Sequence, residues 1–318
     1  MIKAFTLALG LTALLSGVVA AQPSYPSQPI RIVVGFAAGG GADILARYYG
    51  NKMQELTGNT VVIENKPGAA GNIAAATVSN ARPDGHTILF AASSSMAGNR
   101  FLFKSLPFDS VKDFKPAAPF VRTTFFLVVK NDSPISSVAD LTAYLKSKPG
   151  SKYAHVNTVS FVGTEMYKAR AGVSATAVGY RTAPDAVADI NAGDITFMLI
   201  DSSGYGMIKN GRVKPIAVTI NERLPSMSNI PTMQESGISD YDIGVNWSAF
   251  LPAKTPNEIV ATVGSLVNRI SALPETKTFF ENSAGVIRSG DGAAAAKILA
   301  DDIESWSLMV KQAGIEAK

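Results

Sequence analysis

Three segments of the chain bring together residue types suited to holding a small anion. The first, Gly35-Phe36-Ala37-Ala38-Gly39-Gly40-Gly41-Ala42-Asp43, joins a β-branched run to a helical pattern. Its glycines let backbone N–H groups approach an anion closely, and the N-terminus of the following helix adds a favourable dipole. The spacing is not a dinucleotide fingerprint, since Ile44 stands where a third glycine is needed. It is not a P-loop either, because no Gly-Lys-Ser/Thr follows. Asp43 reads as a first-turn cap. The second segment, Asn65-Lys66-Pro67-Gly68-Ala69-Ala70-Gly71-Asn72, also links a strand to a helix and offers free amides and two asparagines. The third is Ser93-Ser94-Ser95, directly after a strand, where three hydroxyls can cap a helix or meet a carboxylate.

Other chemistries lack their residues. The chain has no cysteine and two histidines, His86 and His155. Disulfides, thiolate metal sites, cysteine nucleophiles and multi-histidine metal sites are therefore excluded, and neither a metal nor a cofactor is expected. No serine lies in a G-x-S-x-G elbow or three residues before a lysine, and H-E-x-x-H is absent. His86, in the turn Pro83-Asp84-Gly85-His86-Thr87, reads as a structural surface histidine. His155 has no acid partner nearby in sequence. The chain is not expected to be an enzyme.

The elements that must position these segments alternate in type. Ile30–Val34, Val61–Ile63 and Thr87–Phe90 read as buried strands. Between them lie a helix over 42–56, with Ile44, Leu45, Tyr48, Met53 and Leu56 on one side, and a small-residue helix over 70–80. This βαβαβ order predicts a parallel sheet with helices on both faces, and ligands of such sheets sit at the strands' carboxyl ends. A second series follows: strands at 125–129, 176–178, 195–200 and 214–220, and helices at 137–147 and 184–191. Thr255-Pro256-Asn257-Glu258 fits a capping box. A last helix over 292–313 sets Ile298, Leu299, Ile303, Trp306 and Val310 on one core face. No flexible linker separates the two series, which predicts crossing strands between two lobes, at 125–129 and 247–251.

At 318 residues, two lobes with real cores are expected. Met1–Ala21 has a basic start at Lys3, an apolar run and a small-residue end, the order of a cleaved secretory leader. Without a cysteine after it, no lipid anchor can form. Cleavage would remove one of 29 basic side chains and leave 28 against 25 acidic ones. That mild, scattered positive charge suits an anionic small ligand and not a nucleic acid.

At these loops the sequence resembles the extracytoplasmic solute receptors of the tripartite tricarboxylate transporter family, the Bug receptors. The matching stretches span the mature chain: residues 32–47, 65–72, Pro83–Thr87, Phe108-Asp109-Ser110-Val111-Lys112-Asp113-Phe114, Tyr180-Arg181-Thr182-Ala183-Pro184, Pro231–Gly237 and Trp247–Pro256. The resemblance implies an α/β, two-lobed type II periplasmic-binding-protein fold (a Venus flytrap). Each lobe is a sheet flanked by helices, and two crossing strands join them. It divides the chain into a signal peptide at 1–21, a first lobe at 22–124 plus 247–318, and a second lobe at 125–246. It implies a periplasmic, monomeric receptor that closes on a small carboxylate and delivers it to a membrane permease of the tripartite tricarboxylate type.

By the same resemblance, Phe36, Ala38, Gly39, Gly40, Gly71, Asn72, Ser93, Ser94 and Ser95 anchor the carboxylate from the first lobe. His155, Thr158, Ser160, Tyr180, Arg181, Thr182 and Asp201 read the ligand from the second. Two departures stand out. Ala38 replaces the family's proline, and the loop His155–Thr164 lacks the usual glycines, with Phe161 where a histidine is usual. The second departure predicts an atypical far end for the ligand. A periplasmic co-receptor that signals to a membrane partner, and an exported enzyme on the same fold, are the alternative readings.

Overall fold

The computed structural model describes residues 25–317; the expected leader, 1–21, lies outside the described residues. Short apolar strands alternate with helices in the first third: β1 (Ile30–Val34), α1 (Gly41–Thr57), β2 (Val61–Asn65), α2 (Asn72–Ser79), β3 (Thr87–Ala92) and α3 (Asn99–Leu102). β1 pairs in parallel with both β2 and β3, and every residue but Arg31 is buried, as a near-continuous apolar run requires.

The long strand β4 (Phe114–Lys130) then organises everything else. The second series hangs on its far end: α4 (Val138–Ser147), β5 (Lys152–His155), α5 (Thr158–Ala171), β6 (Thr176–Gly179), α6 (Ala183–Ala192), β7 (Phe197–Asp201), α7 (Tyr205–Lys209) and β8 (Val213–Val218). The chain returns through β9 (Gly244–Pro252) to α8 (Asn257–Ser271), α9 (Pro274–Glu281), β10 (Gly285–Ile287) and α10 (Gly292–Gln312). The first half of β4, up to Thr124, pairs with β9 on one side and β10 on the other. From Phe125 onward it pairs with β7 and β8. One half-sheet therefore reads β2-β1-β3-β9-β4-β10, the other β6-β5-β7-β4-β8. Pro116 and Pro119, which lack the N–H a ladder needs, fall where the β4–β9 register shifts.

The outward crossing lies at the start of the first expected segment, between Thr124 and Phe125, but the return crossing comes before the second. β9 is already paired with Thr124 at Gly244, three residues before Trp247, and Ile243 N–H still bonds Thr219 O beside β8. Aromatic side chains fill the first core, where Tyr49, Phe90, Phe120 and Phe280 lie together. A second cluster, with Phe126, Ile190, Ile200 and Tyr205, lies against the other half-sheet.

Several expectations change. Thr255–Glu258 forms no capping box: the helix starts one residue later, Pro256 takes the cap position without a side chain to offer, and Thr255 Oγ1 is buried without a partner among the described residues. Ile44 is 47% exposed and not on the core face of α1, which Leu45, Tyr49 and Met53 form instead. The stretch read as the loop 155–164 is helical from Thr158. The final helix does bury Leu299, Trp306 and Val310.

Candidate functional site

Register alone shows where the loops meet. Ala92, at the carboxyl end of β3, pairs with Trp247 near the start of β9, so the carboxyl ends of β1, β2 and β3 point toward the crossing. Asp201, the last residue of β7, pairs with Phe125 just beyond it, so the ends of β5, β6 and β7 point toward the crossing from the other side. The two sets of loops face each other. They come near each other at Gly41, where a Cβ would lie 3.6 Å from Ser202 Oγ.

In the first loop, Ala37, Ala38 and Gly39 form an exposed tip, and Phe36 folds back onto the Trp247 ring, centroids 5.7 Å apart. Asp43, 3% exposed, accepts from Gly39 N–H at 2.8 Å and from Arg47 Nε at 2.9 Å, which pins the tip to the helix it precedes. Burial raises the Asp43 carboxyl, but the bonds from Arg47 and Gly39 outweigh it and hold the group below the usual carboxylate range. Gly40 is the N-cap and supplies no side chain, so the first-turn amides at Gly41, Ala42 and Asp43 have no intrahelical acceptor.

The second loop touches the first. A Cβ on Gly35 would lie 2.6 Å from Gly71 Cα, and Asn65 Nδ2 donates to Phe36 O at 3.1 Å. Ala69, Ala70 and Gly71 are all left-handed, with φ of 46°, 54° and 94°. For alanine that conformation costs roughly 1–2 kcal/mol. It is held by Ser95 Oγ and Asn99 Nδ2, which both donate to Ala70 O, at 2.9 and 3.0 Å. Asn72 is buried and accepts from Asn99 Nδ2 at 2.6 Å. Ser93 Oγ accepts from Asn246 N–H at 3.3 Å. After it the chain makes a π-helical turn, Ser94–Gly98, and the half-exposed Ser94 hydroxyl has no partner among the described residues.

On the opposite face, α5 opens with Asn157. Its Oδ1 accepts from Ser160 N–H while Ser160 Oγ accepts from Asn157 N–H, a reciprocal cap. Asn157 Nδ2 also donates to Asp201 Oδ2 at 3.0 Å, which ties the β5 and β7 ends together. Thr158, half-exposed, begins the helix beside them. His155 stacks at a tilt on Phe161, centroids 5.1 Å apart, and burial pulls its basicity down against a weaker opposing pull from Glu165. Tyr180 donates to Asp189 at 2.5 Å; burial and that carboxylate push its hydroxyl up to about 12. Thr182 caps α6 through Asp185, and the exposed Arg181 has no partner among the described residues.

The expected residues thus divide by what their polar atoms already do. Ser93, Ser95, Ser160, Tyr180, Thr182, Asn72 and Asp201 are engaged within the protein and shape the loops. Ser160 is fully buried, so its hydroxyl is not presented to the cleft. Ser94, Thr158, His155 and Arg181 keep side-chain hydrogen-bonding groups without a hydrogen-bond partner among the described residues. His86 lies outside this region and is not on the surface: it is buried, and Nε2 accepts from Ser27 N–H at 3.2 Å. Sequence reasoning missed Asn157 as a site residue, although its spacing to Ser160 is itself a capping signal, and read Trp247 only as the start of a crossing strand and not as the ring that Phe36 packs against. A separate cavity of about 850 Å³ between α8 and the start of β4 contains none of these residues.

Comparison with known proteins agrees with this architecture. The family model described as "Tripartite tricarboxylate transporter family receptor" matches residues 45–315. Among solved structures, Rpa4515 from R. palustris with adipate is 28% identical, with a TM-score of 0.86 over 92% of this chain and 100% of that one. The periplasmic binding protein BugD is 26% identical, with a TM-score of 0.82 over 92% and 100%. MatC from Rhodopseudomonas palustris with bound malate is 25% identical, with a TM-score of 0.80 over 90% and 100%. The fold is the α/β periplasmic-binding-protein fold. The protein is a solute-binding receptor and not an enzyme: the chain belongs to the tripartite tricarboxylate transporter family of receptors.

Proposed function

We propose that this receptor closes its two lobes on a small carboxylate in the periplasm and hands it to a membrane permease. The observation that carries the reading is the meeting of the two loops at Gly35 and Gly71 opposite Ser202, with the uncapped first turn of α1 aimed at the space between. Amides and helix dipoles favour an anion there without a buried cation. Adipate in Rpa4515 and malate in MatC are carboxylates bound by relatives of this fold.

In this reading the Phe36–Gly40 tip and Ser94 hold the carboxylate, with Gly71 and Asn72 fixing the second loop. Thr158, His155 and Arg181 meet the rest of the ligand. A micromolar complex needs about −8 kcal/mol. Four or five hydrogen bonds to a charged group, at ~1.5–3 kcal/mol each, reach it after association costs. The lobes are 22–124 with 247–318, and 125–246, except that Gly244–Asn246 pair with the first-lobe half of β4 and belong with it; the leader 1–21 is removed, and the mature receptor is a monomer.

A thermal-shift screen of C4–C6 dicarboxylates and aromatic monocarboxylates tests the ligand class. A binder present at 100 times its Kd stabilises by about 2.7 kcal/mol, a readable rise in Tm. No rise with any acid sinks the reading. Gly40→Val isolates the loop, because a Cβ at 40 meets only Ala37 O, at 3.4 Å. The variant is expected to fold like wild type and to lose the ligand-induced shift.

A further inference from the structure

We propose that Arg122, Asp242, Asn246 and Asp302 form a latch at the lobe crossing, in which Arg122 ties one lobe to the other and the charge of Asp302 sets how firmly it holds. The latch concerns regulation of the cleft; only its effect on ligand rests on the carboxylate reading.

The geometry is set by the two crossing strands. Arg122 on β4 and Asn246 on β9 are cross-strand partners, so their side chains share one face, and α10 packs against β4 there. Two residues earlier on β9 stands Gly244, where a Cβ would lie 2.7 Å from Arg122 Nε. Glycine is what lets the guanidinium lie across the start of β9. Beyond it, Arg122 Nη2 reaches Asp242 Oδ1 at 2.7 Å. Asp242 is held on the second-lobe side: it also accepts from Asn221 N–H after β8, and its neighbour Tyr241 is buried and donates to Gly163 O of α5. The Arg122–Asp242 pair therefore spans the lobes.

From the first lobe, α10 brings Asp302, which accepts from Asn246 Nδ2 at 2.8 Å. Arg122 Nε is buried without a partner among the described residues. The charged groups acting on Asp302 are Arg122 from β4, Asp301 on its own helix and Asp242 from the segment before β9. Of the other elements against α10, the turn Ser94–Gly98 has no charge, Arg100 of α3 is paired with Asp109, and Arg269 of α8 is exposed. On α5, Glu165 pairs with Lys168, and Arg170 is bonded to Ser239 and Gln312. Burial pushes the Asp302 carboxyl up to about 7, against the pull of the Asn246 amide and of Arg122. Protonated, it leaves Arg122 to Asp242 alone, and the lobes are tied. Ionised, it offers the orphaned Nε a carboxylate within the first lobe and draws the guanidinium away from Asp242.

The test reads lobe separation without ligand. The chain has no cysteine, so Lys112→Cys and Lys146→Cys place one spin label on each lobe. Pulsed electron-resonance distances are then measured at pH 6 and pH 8.5. The wild-type background is expected to change its distance distribution between the two, and Asp302→Asn to keep the pH 6 distribution at both. Asp242→Asn, which weakens the tie at any pH, is expected to show the pH 8.5 distribution throughout. A pH-independent wild type, or an unaltered pH response in either variant, overturns the latch. With adipate as probe, a shift in Tm but no pH-dependent distance sinks the latch alone. The distance response without a Tm shift from any carboxylate sinks the ligand reading alone.

Discussion

Asp43 decides which amides of the first loop are open. By taking Gly39 N–H and Arg47, it holds the tip in place and leaves the first-turn amides of α1 free. Asp43→Ala removes a buried, charge-assisted pair and is expected to cost about 1–3 kcal/mol by urea denaturation. Its folded carboxyl lies below the unfolded value, so this stability is present above about pH 4 and is lost as pH falls through the folded value. Asp302 has the opposite sign. An unfolded aspartate ionises near pH 4 (about 3.9), whereas the folded one holds its proton to about 7. The native state therefore binds more protons between those values, and stability falls as pH rises. Asp302→Asn is expected to raise the urea midpoint at pH 8 and to leave it almost unchanged near pH 4. Asp43 was legible as a cap because its place two residues into α1 is a local signal. Asp302 was not, because its burial comes from β4 and β9, far away in the chain.

At the scale of elements, α6 was marked by its ends, Pro184 in the first turn and Gly193 at the stop, whereas periodicity found α1 and α10 because each buries one stripe and wets the other. It failed at α5, which buries Ser160, Gly163 and Thr164 among Val159, Val162, Met166 and Tyr167, so no apolar stripe is written in its sequence. What marks this helix is its start. Asn157 satisfies one amide of the first turn and, through Nδ2, fixes Asp201 at the end of β7. Asn157→Ala is expected to cost about 1–2 kcal/mol from the lost cap. Because Asp201 then loses one of the bonds that position it, ligand affinity should fall as well. Ser160→Ala keeps the Asp201 bond while weakening the same cap. Comparable destabilisation in both, with weakened binding only in Asn157→Ala, is the expected pattern by chemical denaturation and ligand titration. Equal loss of affinity in both would assign the effect to the helix alone. The left-handed turn at Ala69–Ala70 was equally hidden, since alanine carries no sequence signal for positive φ and the side chains that hold Ala70 O, Ser95 and Asn99, come from beyond β3.

Over the whole molecule, the end of the chain returns to hold the loops that its beginning supplies. The core stripe of α10 was readable, but not its target. Trp306, 2% exposed, lies over Gly98, where a Cβ would stand 2.8 Å from the indole. Gly98 closes the π-helical turn that begins at Ser94, so the packing of the last helix fixes the segment carrying that free hydroxyl. The exposed cross-lobe pair Arg288–Glu222, at 3.3 Å, stands in contrast: it is screened by solvent and should contribute under about 1 kcal/mol. Trp306→Ala is therefore expected to cost about 3–5 kcal/mol through lost burial and the cavity left behind. Beyond that, it should loosen the π-helical turn and shrink the Tm rise caused by a bound carboxylate. Glu222→Gln should leave both nearly unchanged. Calorimetry of the two variants with and without ligand separates the contributions. If Trp306→Ala lowers Tm but keeps the full ligand-induced rise, α10 stabilises the fold without organising the site.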